Sequence, residues 1–163
     1  MTKLDLKELE KLCSLRDWTI GTAESCTGGL LSAMIAREPG VSSFFRGSIV
    51  SYSRAIKVNV LKVPNSLIAV VGEVSVPVAL EMARGARKVL ECDWTISATG
   101  IAGPTGGTKE KPVGAVCFAV VGPGFESAVQ KQFHSKAPLS EMRQDIQRQA
   151  SLFAFEFLLS AMR

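Results

Sequence analysis

Ser25 lies in the turn Glu24-Ser25-Cys26-Thr27-Gly28-Gly29, directly ahead of a helical run that begins at Leu30. A serine in such a turn has two uses. Its hydroxyl caps the following helix, a position serine fills well. Alternatively it attacks a carbonyl carbon while nearby N–H groups hold the tetrahedral oxyanion. A nucleophilic serine needs a base, and the only histidine, His134, falls near the end of an expected strand, where a surface or packing role is the simpler reading. Lysine takes the place of histidine when its amine is neutral, which requires partial burial or a cationic neighbour. Lys57 is the candidate, five residues after Tyr52, the only tyrosine, and on the helix that follows a strand able to lie beside the first. On spacing alone a helix cap for Ser25 and a solvated helix lysine for Lys57 remain the plainer readings.

A second glycine-rich turn, Thr99-Gly100-Ile101-Ala102-Gly103-Pro104-Thr105-Gly106-Gly107-Thr108, also follows an expected strand. Glycines let backbone N–H groups approach an anion, and ligands of open α/β sheets bind at the carboxyl ends of strands. Two such turns in one small domain can converge on one crevice. The better-known motifs are excluded by spacing. Gly103–Lys109 lacks the Gly-Lys-Ser/Thr ending of a P-loop, and no Gly-x-Gly-x-x-Gly, Ser-x-x-Lys or Gly-x-Ser-x-Gly occurs.

The elements that must position these turns alternate along the chain. Leu4–Leu15 reads as an amphipathic helix with Leu6, Leu9 and Cys13 on one face. Trp18–Ala23 reads as a strand, Leu30–Arg37 as a helix stopped by Pro39-Gly40, Ser48–Tyr52 as a strand and Arg54–Leu61 as a short helix ended by Pro64. Val76–Leu90 is a longer helix with Val78, Met82, Ala86 and Val89 at helical spacing, and Trp94–Ala98 is a third strand. Gly114–Val121 and Ser127–His134 pair as a hairpin across Gly122-Pro123-Gly124, and a long helix runs from about Leu139 to Met162. This order predicts a three-layer α/β/α sandwich with a mixed, mostly parallel sheet of about five strands.

Length and composition set the outer bounds. The 163 residues fit one domain spanning 1–163, and 47% hydrophobic against 21% charged residues supplies a core. The net charge of +4 is dispersed, with no run of five like charges, which favours a small anionic ligand over nucleic acid. The longest apolar runs, Leu67–Val71 and Ala115–Val121, are too short to span a bilayer, and the first dozen residues lack the apolar stretch of a signal peptide. Cys13, Cys26, Cys92 and Cys117 form no Cys-x-x-Cys pair, so no metal site is expected and a cytoplasmic setting is. Leu152, Phe153, Phe155, Phe157 and Leu158 give the last helix more than one apolar face, which suggests burial on several sides, as in a homodimer or higher homo-oligomer.

Taken in order, Ala23–Gly29, Phe45-Arg46-Gly47, Tyr52-Ser53 with Lys57, Gly72 with Val74-Ser75, Thr99–Pro104 with Gly106-Gly107, and Lys111–Gly114 strongly resemble the CinA C-terminal domain family. The resemblance runs from about Leu9 to the final helix. The family's studied members are nicotinamide-nucleotide amidohydrolases, and many carry a further N-terminal domain for which this chain has no room. The resemblance implies hydrolysis of the carboxamide of nicotinamide mononucleotide to nicotinate mononucleotide and ammonia, in pyridine-nucleotide salvage. Ser25 matches the family's nucleophile, and Tyr52 and Lys57 match its partners. Cys26, Thr27, Gly28 and Gly29, with Thr99, Gly100, Ile101, Ala102, Gly103, Gly106 and Gly107, would hold the nucleotide. No cofactor is required. Four positions depart from the family's usual residues: Arg54 for Asn, Ser48 and Lys62 for Gly, and Glu73 for Ala. The alternative is a member that binds nucleotide as a regulatory module without turnover, and Arg54, a long cation beside the expected base, is the main argument for it. The family's association with competence and DNA damage finds no support for direct DNA binding in the dispersed charge.

Overall fold

Alternating side chains on the central strands demand a cover on each face of the sheet. The computed structural model describes the backbone of residues 3–163 and the side chains from Leu6 onward. In it β1 (Ile20–Glu24), β2 (Phe45–Val50), β3 (Trp94–Gly100), β4 (Ala115–Gly122) and β5 (Phe125–Gln132) form one sheet in the order β2-β1-β3-β4-β5. The pairs β1–β2 and β1–β3 are parallel, while β3–β4 and β4–β5 are antiparallel, so β4 alone among the described strands runs against the rest.

Even-numbered residues of β3 and β4 (Trp94, Ile96, Ala98, Val116, Phe118 and Val120) face α1 (Lys3–Arg16), α2 (Leu30–Ala36) and α6 (Met142–Met162). Odd-numbered Cys117, Ala119 and Val121 face α5 (Val76–Val89). On that same side α3 (Arg54–Asn59) and α4 (Asn65–Val71) close over Ala23 with Leu61, Val63, Ile68 and Met82. The three layers expected from the element order are present. The odd face of β3 is polar, and each hydroxyl finds a carbonyl: Thr95 donates to Ala83 at 2.9 Å, Ser97 to Ala79 at 2.6 Å, and Thr99 to Glu73 at 3.0 Å. These bonds satisfy buried hydroxyls and fix α5, and the segment before it, along β3.

Two local readings change. The second strand begins at Phe45 and ends at Val50 rather than spanning Ser48–Tyr52, because β1 pairs with it from Ile20↔Phe45 to Glu24↔Val50. A helix not evident in the sequence, α4, follows Pro64 and buries Ile68. Its start has no side-chain cap, so the usual N-terminal signal is missing. On α6 Phe155 and Leu158 are buried, and part-buried Phe153 packs against Phe118, Phe133 and Phe157. No helix among the described residues is long and apolar enough to cross a membrane.

Candidate active site

From β1 the sheet steps one way to β2 and the other way to β3, so the carboxyl ends of β1 and β3 flank the point where the connecting helices change faces. Helix α2 leaves toward one face there, and α3 to α5 return on the other. The gap between them is a cleft of about 290 Å³ lined by Ser25, Lys57, Glu73, Thr99–Gly103 and Arg143, among others.

Ser25 follows the last residue of β1, and its N–H donates to the Ala98 carbonyl of β3 at 2.9 Å. The helix cap is elsewhere. Gly29, with φ of 97°, is the N-cap of α2, and the buried Glu24 carboxylate accepts from the N–H groups of Gly29 (2.9 Å), Leu31 (3.2 Å) and Ser32 (2.8 Å). A carboxylate at the positive end of a helix is favourable. With Glu24 in that role, the Ser25 hydroxyl is left for another purpose.

That hydroxyl meets Lys57. Ser53 caps α3 by accepting from the Ile56 N–H at 3.4 Å, and one turn later Lys57 points back beneath the sheet edge, 1% exposed. Its Nζ lies 3.2 Å from Ser25 Oγ, 2.9 Å from the Ser51 carbonyl, 3.3 Å from the Tyr52 carbonyl and 3.0 Å from Glu73 Oε2. Burial of a lysine with hydrogen bonds to each available acceptor is the setting in which an amine serves chemistry rather than solubility.

Tyr52 contributes its carbonyl to this cluster, and the residue, half-exposed, also lines the cleft. The Tyr52 hydroxyl accepts from an Arg143 Nη at 2.6 Å, and the other Nη of Arg143 donates to the Gly103 carbonyl at 3.0 Å. Arg143 thus ties α6 to both sides of the cleft and places a cation in its wall. Neither Arg143 nor Glu73 stands in a recognisable motif. Arg143 is one polar residue on a helix read for its apolar face, and Glu73 registers in the sequence only as a departure from the usual Ala.

Of the expected binding residues, Cys26, Thr99, Gly100, Ile101, Ala102, Gly103 and Gly106 line the cleft. Thr27, Gly28 and Gly29 line a neighbouring depression with Gln144 and Gln147 of α6. Gly107 packs under Val113, whose N would lie 2.7 Å from a Cβ at that position. The N–H groups expected to hold an oxyanion divide similarly. Gly29 donates to Glu24 and Gly28 to the Ser25 carbonyl, while Cys26 stands in the cleft and Thr27 in the neighbouring depression. Cys26, beside the nucleophile candidate, does not compete with it. Burial, opposed by its own backbone N–H and by Arg143 and Lys57, pushes its thiol up to about 12, so it stays protonated at neutral pH. Arg54 is exposed and donates to the Asn65 side chain (2.9 Å) and carbonyl (3.2 Å), away from the cleft lining.

No group of three or more metal-ligating side chains occurs among the described residues. The site is therefore a serine and a buried lysine in contact, open to a cleft walled by glycine-rich backbone, an arginine and a glutamate.

Residues 3–162 match the CinA C-terminal domain. A CinA-like protein of Fervidobacterium nodosum is 41% identical over 160 residues, covering 95% of this chain and 38% of that protein. The chain spans well under half the length of the curated relatives it matches. The fold is shared with a competence-damaged protein (CinA) superfamily protein from Enterobacter cloacae, at a TM-score of 0.89 and 28% identity over 98% of this chain and 90% of that one. A competence or damage-inducible protein from Enterobacter asburiae gives a TM-score of 0.89 and 30% identity over 98% and 96%.

Proposed function

The chain belongs to the CinA C-terminal domain family, and from that premise we propose that it hydrolyses the carboxamide of nicotinamide mononucleotide, with Ser25 as nucleophile and Lys57 as base. The observation that carries this reading is the 3.2 Å contact between a fully buried lysine amine and a serine hydroxyl that does not cap its helix.

A neutral Lys57 amine has two N–H donors and one lone pair. The Ser51 and Tyr52 carbonyls and the Glu73 carboxylate offer acceptors for both donors, which leaves the lone pair to face Ser25 Oγ. Ser25 attacks the amide carbon as its proton passes to Lys57 Nζ. The oxyanion falls to backbone N–H of the cleft wall beside Ser25, where Cys26 stands. Lys57 then returns the proton to the departing nitrogen, ammonia leaves, and an ester to Ser25 remains. Water, deprotonated by the same amine, attacks that ester, and Lys57 passes the proton to the departing Ser25 Oγ as the nicotinate product leaves. Tyr52 acts through Arg143 and through its carbonyl, because its hydroxyl is bonded to the guanidinium. The phosphate of the substrate has Arg143 as a cationic wall residue, whereas Lys111 donates to the Val71 carbonyl and Lys109 is solvent-exposed.

Incubation of the purified protein with nicotinamide mononucleotide, following ammonia from pH 6 to 9, tests the reading. Release above a buffer blank, with far less from nicotinamide riboside, is the expected outcome. No release at any pH would move the assignment to a nucleotide-binding module without turnover.

A further inference from the structure

Four acceptors surround an ammonium group that has three protons. The Ser51 and Tyr52 carbonyls and Ser25 Oγ would suffice, yet Glu73 Oε2 adds a fourth contact at 3.0 Å. The Glu73 backbone is fixed beside β3. The Thr99 hydroxyl holds its backbone carbonyl at 3.0 Å, and its side chain, 40% exposed, lies in the cleft wall between buried Lys57 and solvent.

The other charged and titratable groups near Lys57 are accounted for. Glu24 is occupied by three N–H groups of α2, and the Cys26 thiol stays neutral. Tyr52 and Arg143 bond to one another across the cleft. Lys111 donates to the Val71 carbonyl, and Arg54 on α3 is turned to Asn65. Glu73 is therefore the anion, among the described residues, that bonds the Lys57 amine.

We propose that Glu73 is a positioning residue that sets the working pH of the Ser25–Lys57 pair. This rests on the reading of Lys57 as the base. The carboxylate acts in two opposite directions. Before reaction it favours the ammonium form of Lys57, so fewer molecules near neutral pH can accept the Ser25 proton. Once the proton has moved from Ser25 Oγ to Lys57 Nζ, the same carboxylate steadies the cation formed, and a more basic amine is the stronger proton acceptor. Removing the charge should thus help at neutral pH and hurt at high pH.

The test compares wild type with Glu73→Gln, which keeps the shape, and Glu73→Ala, in ammonia release from nicotinamide mononucleotide between pH 6 and 10.5. Both variants should move the rising limb to lower pH, raising the ratio of the pH 7 rate to the plateau rate roughly fivefold while lowering the plateau. A change of scale with no change in the shape of the profile would overturn the proposal. A readout independent of turnover is the NMR titration of the Lys57 Cε resonance, assigned by its loss in Lys57→Met. Its midpoint should fall at lower pH in Glu73→Gln than in wild type, and coincident midpoints would overturn the proposal. A displaced midpoint with no ammonia from any variant would remove the amidase reading and leave the coupling of Glu73 to Lys57 standing.

Discussion

Lys57 Nζ and Ser25 Oγ lie 3.2 Å apart although the residues are 32 positions apart in the chain, and Lys57 is buried where it makes this contact. Neither residue needs the contact for its own element. Ser25 is not the cap of α2, and α3 is capped by Ser53. A pairing of this kind, costly in desolvation and unneeded for local structure, is the physical ground for the proposed active site.

Ser25→Ala should abolish turnover and leave nucleotide binding unchanged. Because Glu24 and not Ser25 satisfies the N–H groups of α2, loss of the hydroxyl should avoid the ~0.5–2 kcal/mol cost of removing a helix cap. Activity assays beside thermal melts check this; a variant with a markedly lower melting temperature and near-normal activity would make Ser25 structural.

Lys57→Met should lower kcat by about 10²–10⁴, the range for a positioned base. Lys57→Arg should not restore it, since guanidinium remains protonated at every usable pH. An active arginine variant, measured on the same substrate, would exclude the amine as proton acceptor.

Arg54→Asn should change neither rate nor pH profile. Its guanidinium bonds Asn65 on the exposed side of α3 and does not line the cleft. Steady-state kinetics of this variant would reveal an unexpected role as a shift in kcat/KM.

Glu24→Ala should destabilise the fold and impair catalysis together. It strands three N–H groups at the start of α2, each worth about 1–3 kcal/mol if left unsatisfied, although water reaching the part-buried ones reduces the sum. Urea titration should show a loss of at least about 2 kcal/mol. Unchanged stability would mean that the N–H groups find other partners.

Alkaline pH should weaken the protein through its cysteines. Burial raises Cys13 and Cys26 to about 12, and Cys92 and Cys117 to about 11, from an ordinary 9.0. Above pH 9 the unfolded chain has released these protons while the native state keeps them. Stability is therefore full below about pH 9 and falls as pH rises toward 11–12. Melting temperatures from pH 8 to 11 should decline, and native protein at pH 8 should leave all four thiols unreacted with a thiol reagent until denatured.

Much of the architecture is legible from periodicity. Leu6, Leu9 and Cys13 on α1 and Val78, Met82 and Ala86 on α5 are spaced for one buried face and are buried, whereas Val89, read on the same face, ends α5 and is half exposed. The β4–β5 hairpin follows from Gly122-Pro123-Gly124 between two β-prone runs. The glycine turns after β1 and β3 are legible as well, each alone readable as a plain connection and pointing to a site only as a pair at strand ends. Tertiary structure alone decided the rest. Whether Lys57 is a solvated helix lysine or a buried amine depends on Ser25, the Ser51 and Tyr52 carbonyls and Glu73 meeting around it. Arg143 enters the cleft only because α6 packs beside α2 and β3, a contact between parts of the chain about 40 residues or more apart. Glu24 could not be recognised as the true cap of α2, since a cap is expected at the residue preceding the helix, not five positions before it. Local spacing specifies which groups an element can present, because backbone geometry repeats every 3.6 or 2 residues. Which of those groups lose their water and meet is set by long-range packing, and burial is what turns Ser25 and Lys57 from ordinary polar residues into the contacting pair on which the proposed proton transfer rests.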